Sequence, residues 1–174
     1  FNGEVFLLSP DADNISLSPP SGKKISSLSW ENGGDGRLAA GGLDGNLLVF
    51  QIQAEIKTHK RVLESKITCV EWSPQGGYLA ASRSDGVVTL LNFSNLEEPS
   101  LVDDLKGHNG PALSLAWNEN STILASGGED GGVCMWSPFE WPGPFRTVAS
   151  KRDLRSLAVS PDGNLLAVGS NEGM

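Results

Sequence analysis

A cassette recurs along this chain: an apolar run closing on Trp-Ser-Pro or a related triplet, a Gly-rich turn, Leu-Ala-Ala or Leu-Ala-Ser, then Asp-Gly and a second apolar run. It reads ISSLSWENGGDGRLAAGGLDGNLLVFQI, ITCVEWSPQGGYLAASRSDGVVTLLNF and ALSLAWNENSTILASGGEDGGVCMWSPF, with a fourth copy in LRSLAVSPDGNLLAVGSNEGM. Trp30, Trp72, Trp117 and Val159 hold equivalent positions, 42, 45 and 42 residues apart. At such a period each unit is one supersecondary structure that cannot bury its apolar face alone and must stack on its neighbours.

Within a copy the apolar residues alternate with period two, as half-buried strands require. In ITCVEW this places Ile67, Cys69 and Glu71 on one face and Thr68, Val70 and Trp72 on the other. Pro-Gln-Gly-Gly, Pro-Asp-Gly-Asn and the Asp-Gly pairs 44–45, 85–86 and 130–131 are turn signals between strands. Four strands per unit of this length make one blade of a β-propeller. The expected fold is all-β, with four-stranded antiparallel blades at about 25–64, 67–106 and 112–149. Half-blades at 1–18 and 154–174 flank them: EVFLLS at 4–9 matches a third strand, and the last copy supplies a first and a second. Trp30, Trp72 and Trp117 are expected in the core between blades.

The arrangement resembles the WD40 (Trp-Asp) repeat family of β-propellers over essentially the whole chain. Gly107-His108 stands where the family carries Gly-His, and Ser126, Asp130 and Trp136 match the rest of its buried hydrogen-bonded set. The resemblance implies that His108 bridges Asp130 and Ser126, that Ser126 meets Trp136, and that this structural network locks the blade. Copy two offers Ser82 and Asp85 without a His in register; copy one has Asp44, with Lys24 and Ala40 at the other positions. The closing Trp-Asp is Phe50-Gln51, Leu91-Asn92 and Trp136-Ser137 in the three copies.

The network accounts for His108, Ser126 and Asp130 better than a Ser-His-Asp triad does, so no catalytic residue is assigned. With one other histidine, His59, no metal site and no cofactor are expected. Asp11-Ala12-Asp13-Asn14 lacks the glycine and distal Glu of a calcium loop, and Asn32-Gly33-Gly34-Asp35-Gly36 lacks the Lys-Ser/Thr and helix of a phosphate loop. The sequons at Asn14, Asn92 and Asn120 fit chance in an Asn- and Ser-rich chain. A net charge of −8 repels phosphate backbones and acidic membranes, so neither nucleic acid nor membrane is an expected partner. One basic stretch, Lys57-Thr58-His59-Lys60-Arg61, reads as a solvated edge strand carrying anti-aggregation charge. Cys69 and Cys134 sit within apolar patterns without CxxC spacing and read as buried thiols of a reducing, cytoplasmic setting.

The resemblance implies a non-catalytic scaffold that holds proteins or peptides on its faces and rim. Leu43, Ser84, Glu129 and Asn171, before the Asp-Gly positions, are candidates for one face, with Ser26, Thr68, Leu113 and Arg155 entering the first strands nearby. A second candidate surface is the connection carrying Phe139, Trp141 and Phe145 among three prolines. Two other readings stay open: a propeller appended to an enzyme, and recognition of a peptide or modified residue at the central channel. The ring is expected to be completed by blades elsewhere in the same polypeptide; closure of the two halves on each other, or pairing with a second copy, are the alternatives.

Overall fold

The computed structural model of the chain describes residues 4–9, 12–17, 23–33, 36–95, 98–137, 145–148 and 151–171. Alternating apolar residues punctuated by Gly turns give strands throughout these residues, with no helix among them. Blade I is built of β3 (Ile25–Trp30), β4 (Arg37–Gly42), β5 (Asn46–Ile52) and β6 (Ile56–Val62). Blade II holds β7 (Ile67–Trp72), β8 (Tyr78–Arg83), β9 (Val87–Asn92) and β10 (Ser100–Lys106). Blade III holds β11 (Ala112–Trp117), β12 (Leu124–Gly128), β13 (Gly132–Trp136) and β14 (Phe145–Val148). Two-stranded sheets flank them: β1 (Phe6–Ser9) with β2 (Ala12–Ser16), and β15 (Leu154–Val159) with β16 (Leu166–Ser170). Every pairing is antiparallel and joins strands in chain order. The first strands β3, β7, β11 and β15 contact one another in succession, so they form the inner layer and β6, β10 and β14 the outer one.

Each Asp-Gly turn needs its glycine. Gly45 and Gly86 have φ of +81° and +85°, where a side chain is strained. A Cβ on either would lie 2.7 Å from a carbonyl, that of Leu63 or Gly110.

The core lies between blades. Trp72, Val70 and Ile67 pack against Leu47, Val49 and Ala39 of blade I, and Trp117, Leu115 and Ala112 pack against Val88, Leu90 and Ala80 of blade II. Strict alternation would separate Ile67 from Val70. A register shift between Ile67 and Cys69 corrects that expectation: the extra residue returns Ile67 to the Val70–Trp72 side and leaves Thr68 and Cys69 toward blade III. The same shift recurs at Ile25/Ser27, Ala112/Ser114 and Leu154/Ser156.

Trp30 departs from its expected place, being 50% exposed, as is Leu28 at 52%. The β1–β2 side supplies Val5 and Leu17, which cover Leu38, Ala40 and Phe50. Among the described residues it offers no first or second strand to cover β3.

Polar side chains also tie blades together. Ser26 Oγ donates to the Ile67 carbonyl at 2.7 Å, and Ser29 Oγ accepts from Trp72 N–H at 3.1 Å. One further tie is ionic and buried. Glu31 and Arg37, each 7% exposed, form a two-point pair across the β3–β4 turn. Arg37 Nη1 also donates to the Phe93 carbonyl at 2.7 Å, and Gly77 N–H donates to Glu31 Oε1 at 2.8 Å. The guanidinium carbon stands 5.0 Å from the centre of the Trp72 ring.

Candidate interaction surface

One backbone hydrogen bond recurs four times and defines an end of the blades. The N–H groups of Leu43, Ser84, Glu129 and Asn171 donate to the carbonyls of Lys24, Lys66, Pro111 and Asp153, at 2.9, 2.9, 2.8 and 3.1 Å. Each bond ties the residue before an Asp-Gly position to the residue leading into a first strand. Leu43, Glu129, Asn171 and Arg155 are exposed there. Ser84 is half-buried, its Oγ 2.7 Å from Ser65 Oγ. Arg155 donates to Asp153 at 2.7 Å.

The first-strand positions contribute less to this face than the sequence suggests. Ser26 and Thr68 turn their hydroxyls to carbonyls of the following blade, and Leu113 is half-buried. Phe139 and Trp141 lie outside the described residues. Phe145 is 64% exposed, but it pairs with Met135, whereas Val148 pairs with Gly132 beside the turn. Phe145 therefore sits at the opposite end of blade III from Glu129.

At the turn end of blade III, His108 carries a side chain with no solvent exposure. Its Nε2 is 2.8 Å from Ser126 Oγ and its Nδ1 3.1 Å from Asp130 Oδ1. Trp136 Nε1–H donates to Ser126 Oγ at 3.1 Å. Asp130 also accepts from the backbone N–H of Gly132 at 3.0 Å and of Asn109 at 2.7 Å. This carboxylate pins the turn and the chain entering β11 at once. Ser126 is fully buried, so its hydroxyl presents no face to a substrate.

Blade II reaches the same shape by different chemistry, and the register corrects the sequence alignment. Counting back from Asp85, the counterpart of Ser126 is Ala81; Ser82 points the other way and bonds Thr68 Oγ1 at 2.8 Å. Leu63, Ala81 and Leu91 stand in the places of His108, Ser126 and Trp136, and all three belong to one apolar cluster. Replacing all polar partners together leaves nothing unsatisfied. Arg83 matches Gly128, where a Cβ would meet His108 Nδ1 at 2.5 Å. With no His in the way, Arg83 holds Asp85 through Nε at 3.1 Å and through Nη2, and donates to Thr89 Oγ1 at 3.2 Å. Burial opposes the Arg83 charge, but the Asp85 hydrogen bond and the Asp85, Asp104 and Glu64 carboxylates outweigh it and raise its pKa.

In blade I, Asp44 accepts from the Asn46 backbone at 3.0 Å and side chain at 2.6 Å. Ala40 and Phe50 pack in the apolar cluster next to β1 and β2. Lys24 aligns with Pro111, not His108, since each supplies the carbonyl of the recurring bond.

On the inner layer, Cys69 and Glu71 belong to β7. Burial pushes Glu71 up to about 7, partly offset by the Trp117 backbone N–H that donates to it. Burial likewise raises the Cys69 thiol, and neither Cys69 nor Cys134 forms a disulfide. Among the described residues no cluster of three His, Cys, Asp or Glu side chains is placed to hold a metal, and no helix is long and apolar enough to cross a membrane.

Four-stranded antiparallel sheets stacked through their first strands, with Asp-Gly turns gathered at one end, define a β-propeller. The chain belongs to the family described as WD domain, G-beta repeat, whose profile matches residues 50–92, 99–137 and 144–174. It is 33% identical over 138 residues to WD repeat-containing protein 1 of Mus musculus, covering 78% of this chain and 22% of that protein. It is 31% identical over 108 residues to the periodic tryptophan protein 2 homolog of Schizosaccharomyces pombe, covering 62% of this chain and 12% of that protein. The chain thus spans under a quarter of the length of either relative. A chain in the crystal structure of the mitotic checkpoint complex superposes with a TM-score of 0.81 at 21% identity, over 97% of this chain and 51% of that one. That likeness is one of fold. WD40 repeat proteins are typically protein-interaction scaffolds and generally non-catalytic.

Proposed function

We propose that this chain is a non-catalytic interaction platform that holds proteins or peptides on the Asp-Gly end of its blades. One observation carries the reading. Three turns are locked by three different sets of groups: His108–Asp130, Arg83–Asp85 and Asn46–Asp44. The neighbouring Leu43, Glu129, Asn171 and Arg155 remain exposed and chemically mixed. A fixed frame carrying a varied surface suits recognition. Phe145 is a second candidate contact, at the other end, and Phe139 and Trp141 precede it in the same stretch of sequence. Further blades, from the same polypeptide, complete the ring in this reading. The exposure of Leu28 and Trp30 at one side and of Leu165 and Val168 at the other supports it. Cys69 and Cys134, neither of them in a disulfide, are in keeping with a reducing, cytoplasmic setting.

The test is site-specific photo-crosslinking in the cell. A benzophenone side chain placed at Leu43 or Glu129 should capture discrete partners, whereas one at Val102, on the outer strand of blade II, should not. Equal capture at all three positions, or none at the turn end, would refute the platform reading.

A further inference from the structure

The basic stretch singled out in the sequence becomes β6, the outermost strand of blade I, whose second edge has no partner in its sheet. Cross-strand register sets the direction of its side chains. His59 is opposite Val49 and Arg61 opposite Leu47, and both β5 residues face blade II. A narrow slot of about 160 Å³ opens here, between the two blades. Its floor is apolar, formed by Leu47, Val49, Leu91 and Phe93, and Pro99 borders it from blade II. His59, Lys60 and Arg61 form its third side.

These basic residues differ from the paired arginines of the described residues. Arg37, Arg83 and Arg155 each pair with a carboxylate, whereas among the described residues no carboxylate pairs with His59, Lys60 or Arg61. Arg61 also borders an adjoining hollow of about 210 Å³ that contains Glu64 and Asp104. Both of those carboxylates are turned to Arg83, at 3.5 Å each. Anti-aggregation charge on an edge strand accounts for the cations. It does not account for an apolar slot beneath them.

We propose that this seam between blades I and II is a docking site for an extended acidic peptide segment that inserts one apolar side chain into the slot and sets carboxylates against His59 and Arg61, with Lys60 adding charge from the other face of the same strand. The complementarity is local: the chain as a whole carries −8, and this strand concentrates Lys57, Lys60 and Arg61 within five residues. A strand edge supplies backbone donors and acceptors to an extended ligand, and the slot selects the side chain. The site rests on the platform reading for its partner class but lies on the rim, running from beside the Asp44-Gly45 turn along the outer strand.

The experiment is fluorescence anisotropy on the full chain with labelled acetyl-Asp-Glu-Leu-Glu-Asp. Three further probes accompany it: the same peptide with Gly for Leu, its Lys counterpart, and a single-stranded oligonucleotide. The Leu peptide should bind, weaken with added salt, and lose about tenfold in affinity on Arg61→Glu. Lys106→Glu, the same charge change on an exposed residue of β10, should leave it unchanged. Equal binding of the Gly peptide would show that the slot is unused and would overturn the proposal, as would tighter binding of the oligonucleotide or no saturable binding of the Leu peptide. Crosslinking from Leu43 and Glu129 in the Arg61→Glu variant separates the two readings: it should persist whether or not the rim site exists.

Discussion

Removing either member of the Glu31–Arg37 pair should loosen blade I from blade II at a cost set by the charge left behind. In Glu31→Ala the guanidinium stays buried, 7% exposed, with only the Phe93 carbonyl and the Trp72 ring as partners. In Arg37→Met the carboxylate keeps one donor, the Gly77 N–H. Breaking a buried pair from one side costs about 3–5 kcal/mol, because the survivor is desolvated and uncompensated. Replacing both, as in Glu31→Leu with Arg37→Met, removes the stranded charge and should cost far less than the sum of the single changes. Urea denaturation of the four proteins at pH 7 gives the cycle, with a coupling of about 3 kcal/mol expected. Because the pair is buried, raising the salt should change that coupling little. A single variant that loses less than about 1 kcal/mol, or a coupling that salt abolishes, would show that the pair does not join the blades.

His108→Ala should destabilise by about 1–3 kcal/mol, since it leaves the buried Ser126 and Asp130 short of a partner. Thermal melts measure this, and crosslinking from Leu43 on blade I should be unaffected; unchanged melting would refute the locking role. Glu71 has a folded pKa of about 7, above its ordinary 4.5, so the unfolded chain gives up that proton first. Its contribution to stability is therefore fully present below about pH 4.5, falls as the pH rises to about 7, and is flat beyond. The loss is up to about 3 kcal/mol. Glu71→Gln should abolish that slope in urea denaturation measured across the pH range; a parallel profile would place the titration elsewhere.

The period of the cassette and its Asp-Gly turns were enough to define the strands, the antiparallel order and the stacking of blades. Those features follow from local backbone preference and a face that one blade cannot cover alone. His108, Ser126, Asp130 and Trp136 were legible together because they match the buried set that the resemblance to the WD40 family implies. Blade II was not legible in the same way. Ser82 stands one residue from the place of Ser126, and one residue in a strand is the difference between opposite faces. The register of β8 on β9 decided that Ala81 and Leu91 carry the position and that Arg83 holds the turn. The shift in β7 that returns Ile67 to the core is likewise a property of its pairing with β8. Neither the burial of the Glu31–Arg37 pair nor the slot under His59 and Arg61 has a sequence signal, because the pair finds its further partners, the Phe93 carbonyl and the Gly77 N–H, on blade II and the slot is walled by both blades. Only their stacking decides which charges are buried together and which remain free.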